Sequence, residues 1–205
     1  TLRFFHYRQG ISEIYKYGLL GSPWLLELLF GQEKEPSDST VIKIINETIR
    51  VRMKLRMEDP LASNLGHTFG HAMEKLSGFS VGHGDAVSIG ILMAVCFGEK
   101  EMITKPGTFD KIMQDMEQLG LNRHYDPEWT VDKIVNLMLK DKKSSSAKIN
   151  LIMISSIGEP YSLDSSPFYP VERKAVSEFL DYFFHSYSHF AKSDIASFLQ
   201  QQEKS

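Results

Sequence analysis

Over most of its length the chain sets apolar residues at helical rather than strand spacing. Residues 10–30 hold two apolar runs, Gly10 to Leu20 and Trp24 to Phe30, separated by Gly21-Ser22-Pro23. Serine is favoured at an N-cap and proline at the first helical position, so the pattern predicts two helices, with Ser22 capping the second and Pro23 opening it. Residues 32–39 are polar and read as a loop. From 40 to 57, Val41, Ile44, Ile45, Thr48, Ile49, Arg52 and Met53 repeat at the three-to-four spacing of a helix. Asp59-Pro60 ends that run, because proline disfavours helical geometry in the residue before it. Further helices are predicted at about 61–77, 84–103, 108–119 and 130–140. The 84–103 segment is apolar nearly all round, the mark of a central buried helix, and Asp85 near its start complements the helix dipole.

The period shortens at Ile149–Ile154, which reads as a β run turned at Gly158-Glu159-Pro160, with Tyr161-Ser162-Leu163 as its return strand. Asp141 to Lys148 forms a basic, flexible connector before it. Val171 to Phe184 is predicted helical. The expected fold is mainly α with one small β-hairpin: a helical domain over 1–185, then a helical or partly ordered tail over 186–205. No internal repeat is evident.

Composition narrows the classes. At 205 residues, 42% hydrophobic and 24% charged, the chain is an ordinary globular one. A net charge of −3 argues against a nucleic-acid partner. The single cysteine, Cys96, excludes an internal disulfide framework and fits a reducing compartment; its apolar neighbours give it a packing role. No stretch reaches the roughly 18 apolar residues that span a bilayer, and the first residues lack the core of a signal peptide. A cytoplasmic protein without a membrane partner is expected. The chain starts at Thr1, which fits processing or excision from something longer.

The chemistry concentrates in Asn64-Leu65-Gly66-His67-Thr68-Phe69-Gly70-His71-Ala72-Met73-Glu74 and His83-Gly84-Asp85-Ala86-Val87. His67 and His71 are four apart and share a helical face, and imidazole is the commonest metal ligand. Spacing alone favours His67 and His71 with His83 as a ligand triple, while Glu13, Glu74 and Asp85 leave other triples open. There is no His-Glu-x-x-His pair and no Walker loop, and Gly82-His83-Gly84 has Val87 where a dinucleotide loop needs its third glycine. Lys16, Asn64, Lys142 and Lys143 are candidate anion contacts. For Glu13 and Lys16 the plain alternative is a surface i,i+3 ion pair worth a few tenths of a kcal/mol.

These same residues closely resemble the signature of 3-dehydroquinate synthase. The likeness extends to Gly10-Ile11-Ser12-Glu13-Ile14-Tyr15-Lys16-Tyr17-Gly18 and to Asp141-Lys142-Lys143 with Ile157-Gly158-Glu159-Pro160-Tyr161, about residues 1–163 in all. The resemblance implies the helical C-terminal domain of that fold, without its N-terminal NAD-binding α/β domain. It implies the conversion of 3-deoxy-D-arabino-heptulosonate 7-phosphate to 3-dehydroquinate and phosphate, in the shikimate route to aromatic amino acids. The implied cofactors are Zn2+ or Co2+ and NAD+, the latter held mainly by the N-terminal domain. The implied partners are that domain, a sugar-phosphate substrate and a second copy of the chain as a homodimer.

Carried over by motif, the metal ligands are Glu13, His67 and His83. Lys16, Asn64 and His71 then belong near the phosphate, and Lys142 matches an active-site lysine. The chain departs from the pattern before Asn64. Pro60 stands where the family usually has an arginine, a family lysine further upstream has no fixed counterpart, and the stretch from Asp59 to Asn64 is shortened. Arg52, Lys54 and Arg56 are the candidates for replacement positive charge. Related cyclases such as 2-deoxy-scyllo-inosose synthase share the metal motif, so that activity is the alternative, with a degenerate non-catalytic domain as a third.

Overall fold

A computed structural model describes residues 4–31, 36–140, 148–193 and 195–201. Helix α1 runs Phe4–Gly21 and α2 runs Pro23–Phe30. They part where the sequence indicates, with Ser22 Oγ accepting from the Leu25 amide at 3.2 Å and Pro23 at the first helical position. Helix α1 begins before the predicted Gly10, because Arg8 is drawn into the interior by a partner on another helix. Helix α3, Asp38–Glu58, is capped by Ser37 and stops at Asp59.

Residues 59–66 form turns rather than the first part of a helix, and α4 runs only His67–Leu76. Asp59 Oδ1 accepts from the Leu61 amide at 2.7 Å, and Gly66 lies in the left-handed region at φ 76°, immediately before the helix. Helix α5, His83–Lys100, is buried without interruption from Gly84 to Gly98, as the central helix should be. Helices α4 and α5 cross at very short range. A Cβ on Gly90 would lie 2.1 Å from the Gly66 carbonyl oxygen, and one on Gly66 would lie 2.5 Å from the Ile91 nitrogen. Only glycine permits that approach.

Helices α6, Thr108–Gln118, and α7, Val131–Lys140, follow close to their predicted bounds. The hairpin does not. Strand β1, Lys148–Ile152, pairs antiparallel with β4, Phe168–Glu172, while β2, Ile154–Ser156, pairs with β3, Glu159–Pro160. The expected return strand at 161–163 forms no regular strand. Val171 belongs to β4 opposite Ile149, so helix α8 starts later than predicted and spans Arg173–Ser186. Burying Ile149, Leu151 and Val171 on one face of this two-stranded ribbon explains the choice of partner.

The tail turns back through a 3-10 turn, Ser188–Phe190, into α9, Ile195–Gln201, where Ile195 and Leu199 join the core. No helix among the described residues is long and apolar enough to cross a membrane. Lys142 and Lys143, with the connector that holds them, lie outside the described residues.

Candidate metal centre

Three helices supply the cluster: α1 brings Glu13 and Lys16, α4 begins with His67, and α5 begins with His83. The link between α1 and α5 is polar and close. Ser12 Oγ donates to the Gly84 carbonyl at 2.7 Å and stands 2.7 Å from Ser88 Oγ. Arg8 Nε lies 3.0 Å from Asp85 Oδ1, and Arg8 Nη2 and Gln9 Nε2 donate to Oδ2 at 3.1 and 2.7 Å. Ser12 and Gly84 adjoin Glu13 and His83 in sequence, so this seam carries the two donors together. Asp85 serves the seam and is not part of the donor cluster.

Among the described residues, two sets of donor atoms lie within 4.8 Å of one another: Glu13–His67–His83 and His71–Glu74–His83. The triple favoured by spacing, His67–His71–His83, is not formed. His71 does share the face of α4 with His67, and their rings stand edge to face with centroids 5.3 Å apart. Glu13, which spacing alone could not select, takes its place.

Glu13 Oε1 is buried without a hydrogen bond of ordinary length and faces His67 Nε2 at 3.6 Å and His83 Nε2 at 3.5 Å. Those separations are long for hydrogen bonds. They suit a shared divalent ion, since donors about 2.0–2.1 Å from a tetrahedral centre stand roughly 3.4 Å apart. One carboxylate and two imidazoles are a common zinc donor set.

The protonation states of Glu13 and His67 agree with this use, and His83 must give up a proton to join them. Burial alone would push the Glu13 carboxyl up, but the facing His83 imidazole, Lys16 and His67 outweigh it and hold it at about 2. Burial, with Lys16 nearby, lowers His67 to about 4, leaving it neutral and able to ligate. In the metal-free cluster, the carboxylates of Glu13 and Glu74 on either side of the ring raise His83 to about 9.

The Glu13–Lys16 pair is not the surface pair that spacing allows. Lys16 Nζ donates to Glu13 Oε2 at 2.7 Å with its side chain only 2% exposed, and it lies 4.4 Å from the centroid of the Tyr17 ring. A cavity of about 600 Å3 opens beside the cluster, and Glu13, Lys16, Arg52, Arg56, Asn64 and His67 all reach its wall. Pro60 is also on that wall. Lys54, the other candidate for replacement charge, is not, and neither is His71.

The fold is that of the helical C-terminal domain of the dehydroquinate synthase fold. Two solved structures share it. The structure of 2-epi-5-epi-valiolone synthase from Streptomyces hygroscopicus, with NAD+ and Zn2+ bound, superposes with a TM-score of 0.72 at 18% identity over 91% of this chain and 53% of its own. That of 2-deoxy-scyllo-inosose synthase with carbaglucose-6-phosphate, NAD+ and Co2+ gives 0.68 at 18% over 84% and 50%. The family model described as 3-dehydroquinate synthase C-terminal matches residues 10–144, and the chain belongs to that family.

Among curated relatives, a 3-dehydroquinate synthase of Clostridium perfringens is 32% identical over 76% of this chain and 47% of its own length. One of Streptococcus pneumoniae is 29% identical over 84% and 49%. The chain thus spans about half the length of the relatives it matches. Sequence reasoning did not find Arg8, Gln9 or Ser12, because polar residues on an amphipathic helix carry no mark of facing inwards.

Proposed function

We propose that this chain is the metal- and substrate-binding half of a 3-dehydroquinate synthase that converts 3-deoxy-D-arabino-heptulosonate 7-phosphate to 3-dehydroquinate and phosphate. The supporting observation is the Glu13–His67–His83 cluster, two of whose members, Glu13 and His67, line a cavity that also holds Lys16, Asn64, Arg52 and Arg56. In this reading Glu13, His67 and His83 hold Zn2+ or Co2+, and NAD+ is held mainly by an N-terminal α/β half that the relatives' extra length would supply. A divalent ion there supplies Lewis acidity to substrate oxygens, and NAD+ supplies the redox chemistry.

The chain's own residues do the remaining work. Lys16 and Asn64, with His71 alongside His67, offer donors to the departing phosphate, where fixed cationic and amide groups are most effective. Lys142 joins them by its motif position. Lys16 is oriented through Glu13, so the metal donor and the phosphate donor are fixed as one unit. Arg52 and Arg56 supply the positive charge for the substrate carboxylate that an arginine at position 60 would otherwise give. The protein is read as cytoplasmic and homodimeric, and the chain without an NAD-binding half as inactive.

Pro60 on the cavity wall favours a second reading: a sugar-phosphate cyclase of the 2-deoxy-scyllo-inosose synthase kind, whose glucose 6-phosphate substrate has no carboxylate. Phosphate release by the chain joined to its N-terminal half, with NAD+ and Zn2+, separates them. Turnover of the heptulosonate is expected; turnover of glucose 6-phosphate alone would reverse the assignment. Zinc content by emission spectrometry tests the metal: His67→Ala should lose it, and an unchanged zinc content would refute the donor set.

A further inference from the structure

Glu74 lies outside the set Glu13–His67–His83, yet its carboxylate touches one of those residues. Its Oε1 stands 3.2 Å from His83 Nδ1, and its side chain is only 14% exposed. We propose that Glu74 is a positioning residue that fixes the tautomer and ring orientation of His83 so that Nε2 is presented to the metal. The proposal rests on the reading of Glu13, His67 and His83 as the metal donors.

A neutral imidazole has one N–H and one bare nitrogen, and the partner of the first decides which nitrogen can ligate. An ionised carboxylate only accepts hydrogen bonds, so the neutral form of His83 keeps its one proton on Nδ1. The bare Nε2 then points towards Glu13 Oε1, 3.5 Å away. His67 is arranged in the same way by a different acceptor: its Nδ1 lies 3.1 Å from the Leu65 carbonyl oxygen, and its Nε2 faces Glu13 Oε1.

The two histidines differ in how much they need the help. His67 is 9% exposed in its side chain and packed at the start of α4, whereas His83 is 44% exposed at the first residue of α5. Neighbours alone do not lock an imidazole that open. Glu74 is seven residues after His67, two turns along the same face of α4. One helix therefore carries one donor and the group that holds another.

The competing reading makes Glu74 a ligand itself, because His71, Glu74 and His83 also bring donor atoms within 4.8 Å of one another. Within that set Glu74 meets His83 at Nδ1, whereas Glu13 faces Nε2. Use of both nitrogens at once would strip the ring of its remaining proton, so positioning is the simpler role.

The test is zinc affinity of the intact chain by competition with a chromophoric chelator, in wild type, Glu74→Ala, Glu74→Gln and His67→Ala. Loss of such a partner usually weakens metal binding about 10–100-fold. That loss is expected for Glu74→Ala. Glu74→Gln, whose amide oxygen still accepts, should fall between it and wild type. Long-range 1H–15N spectra of the metal-free chain should show His83 protonated at Nδ1 alone when neutral, with that preference lost in Glu74→Ala.

Zinc binding within twofold of wild type in both Glu74 variants, with His67→Ala defective, would overturn the positioning role and leave the metal site standing. Unchanged binding in His67→Ala would instead remove the metal reading and this inference with it. Two zinc ions per wild-type chain, falling to one in Glu74→Ala, would make Glu74 a ligand and refute the proposal. Glu74→Gln is nearly isosteric and keeps the test open if the alanine variant does not fold.

Discussion

Replacing Asp85 by alanine should be among the most damaging single changes outside the donor cluster. Asp85 and Arg8 are 1% and 3% exposed, with Nε–Oδ1 at 3.0 Å and Nη2–Oδ2 at 3.1 Å, and Gln9 adds a 2.7 Å hydrogen bond to Oδ2. Removal of the carboxylate leaves a guanidinium buried without its counter-charge, which costs about 3–5 kcal/mol. A domain of this size is stable by roughly 5–15 kcal/mol, and each kcal/mol shifts Tm by about 2–4 °C at 150–250 residues. Urea titration followed by circular dichroism should show the loss, with a Tm lower by about 6–20 °C. A buried pair replaced on both sides by apolar groups is often neutral, so Arg8→Met with Asp85→Leu should recover most of the stability. A loss below about 1 kcal/mol in Asp85→Ala, or a double variant no better than the single, would refute the claim that the uncompensated charge dominates.

Other consequences are as direct. Gly90→Ala should destabilise by at least about 1–3 kcal/mol, since its Cβ would meet the Gly66 carbonyl at 2.1 Å and backbone cannot yield as a side chain can; chemical denaturation measures it. The metal-free chain should be most stable near pH 6.5. Lowered to about 4, His67 contributes stability that is lost as pH falls from 6.5 towards 4, whereas His83, raised to about 9, contributes stability that is lost as pH rises from 6.5 through 9. Urea midpoints between pH 5 and 9 would contradict this by rising throughout. On the proposed function, Arg52→Gln with Arg56→Gln in the chain joined to an NAD-binding half should raise KM for the heptulosonate about tenfold or more while leaving zinc content intact. Equal KM values would detach both arginines from the substrate.

The helical pattern was readable because apolar period and end signals agree, as at Ser22-Pro23 and around the all-apolar α5. The errors fall where local pattern carries no information. Strand β1 finds its partner in β4, beyond an intervening β2–β3 turn, and no local periodicity specifies a non-local partner. Residues 59–66 keep enough apolar character to read as helix, but the left-handed Gly66 and the Asp59 cap hold them as turns. Of the clustered residues, His67 and His83 stood out by residue type and spacing, whereas Glu13 joined them only through the family resemblance.

The reason Glu13 escapes a reading by spacing is that α1 inverts the usual logic of an amphipathic helix. Arg8, Ser12 and Lys16 recur every four residues, and each is buried to 3% or less, with Gln9 and Glu13 beside them. By periodicity this stripe is the solvent face. In the fold it is the face turned to α5 and the cavity, and each residue on it is tied: Arg8 and Gln9 to Asp85, Ser12 to Gly84 and Ser88, and Glu13 to Lys16 and the two histidines. One residue of slip in a helix turns a side chain by about 100°, enough to take Glu13 out of reach of both imidazoles. The polar contacts flanking Glu13 therefore fix the rotation of α1 together with the apolar packing of Tyr15, Leu19 and Leu20. A polar stripe with little water to face is what a helix looks like when its ordered side is a site.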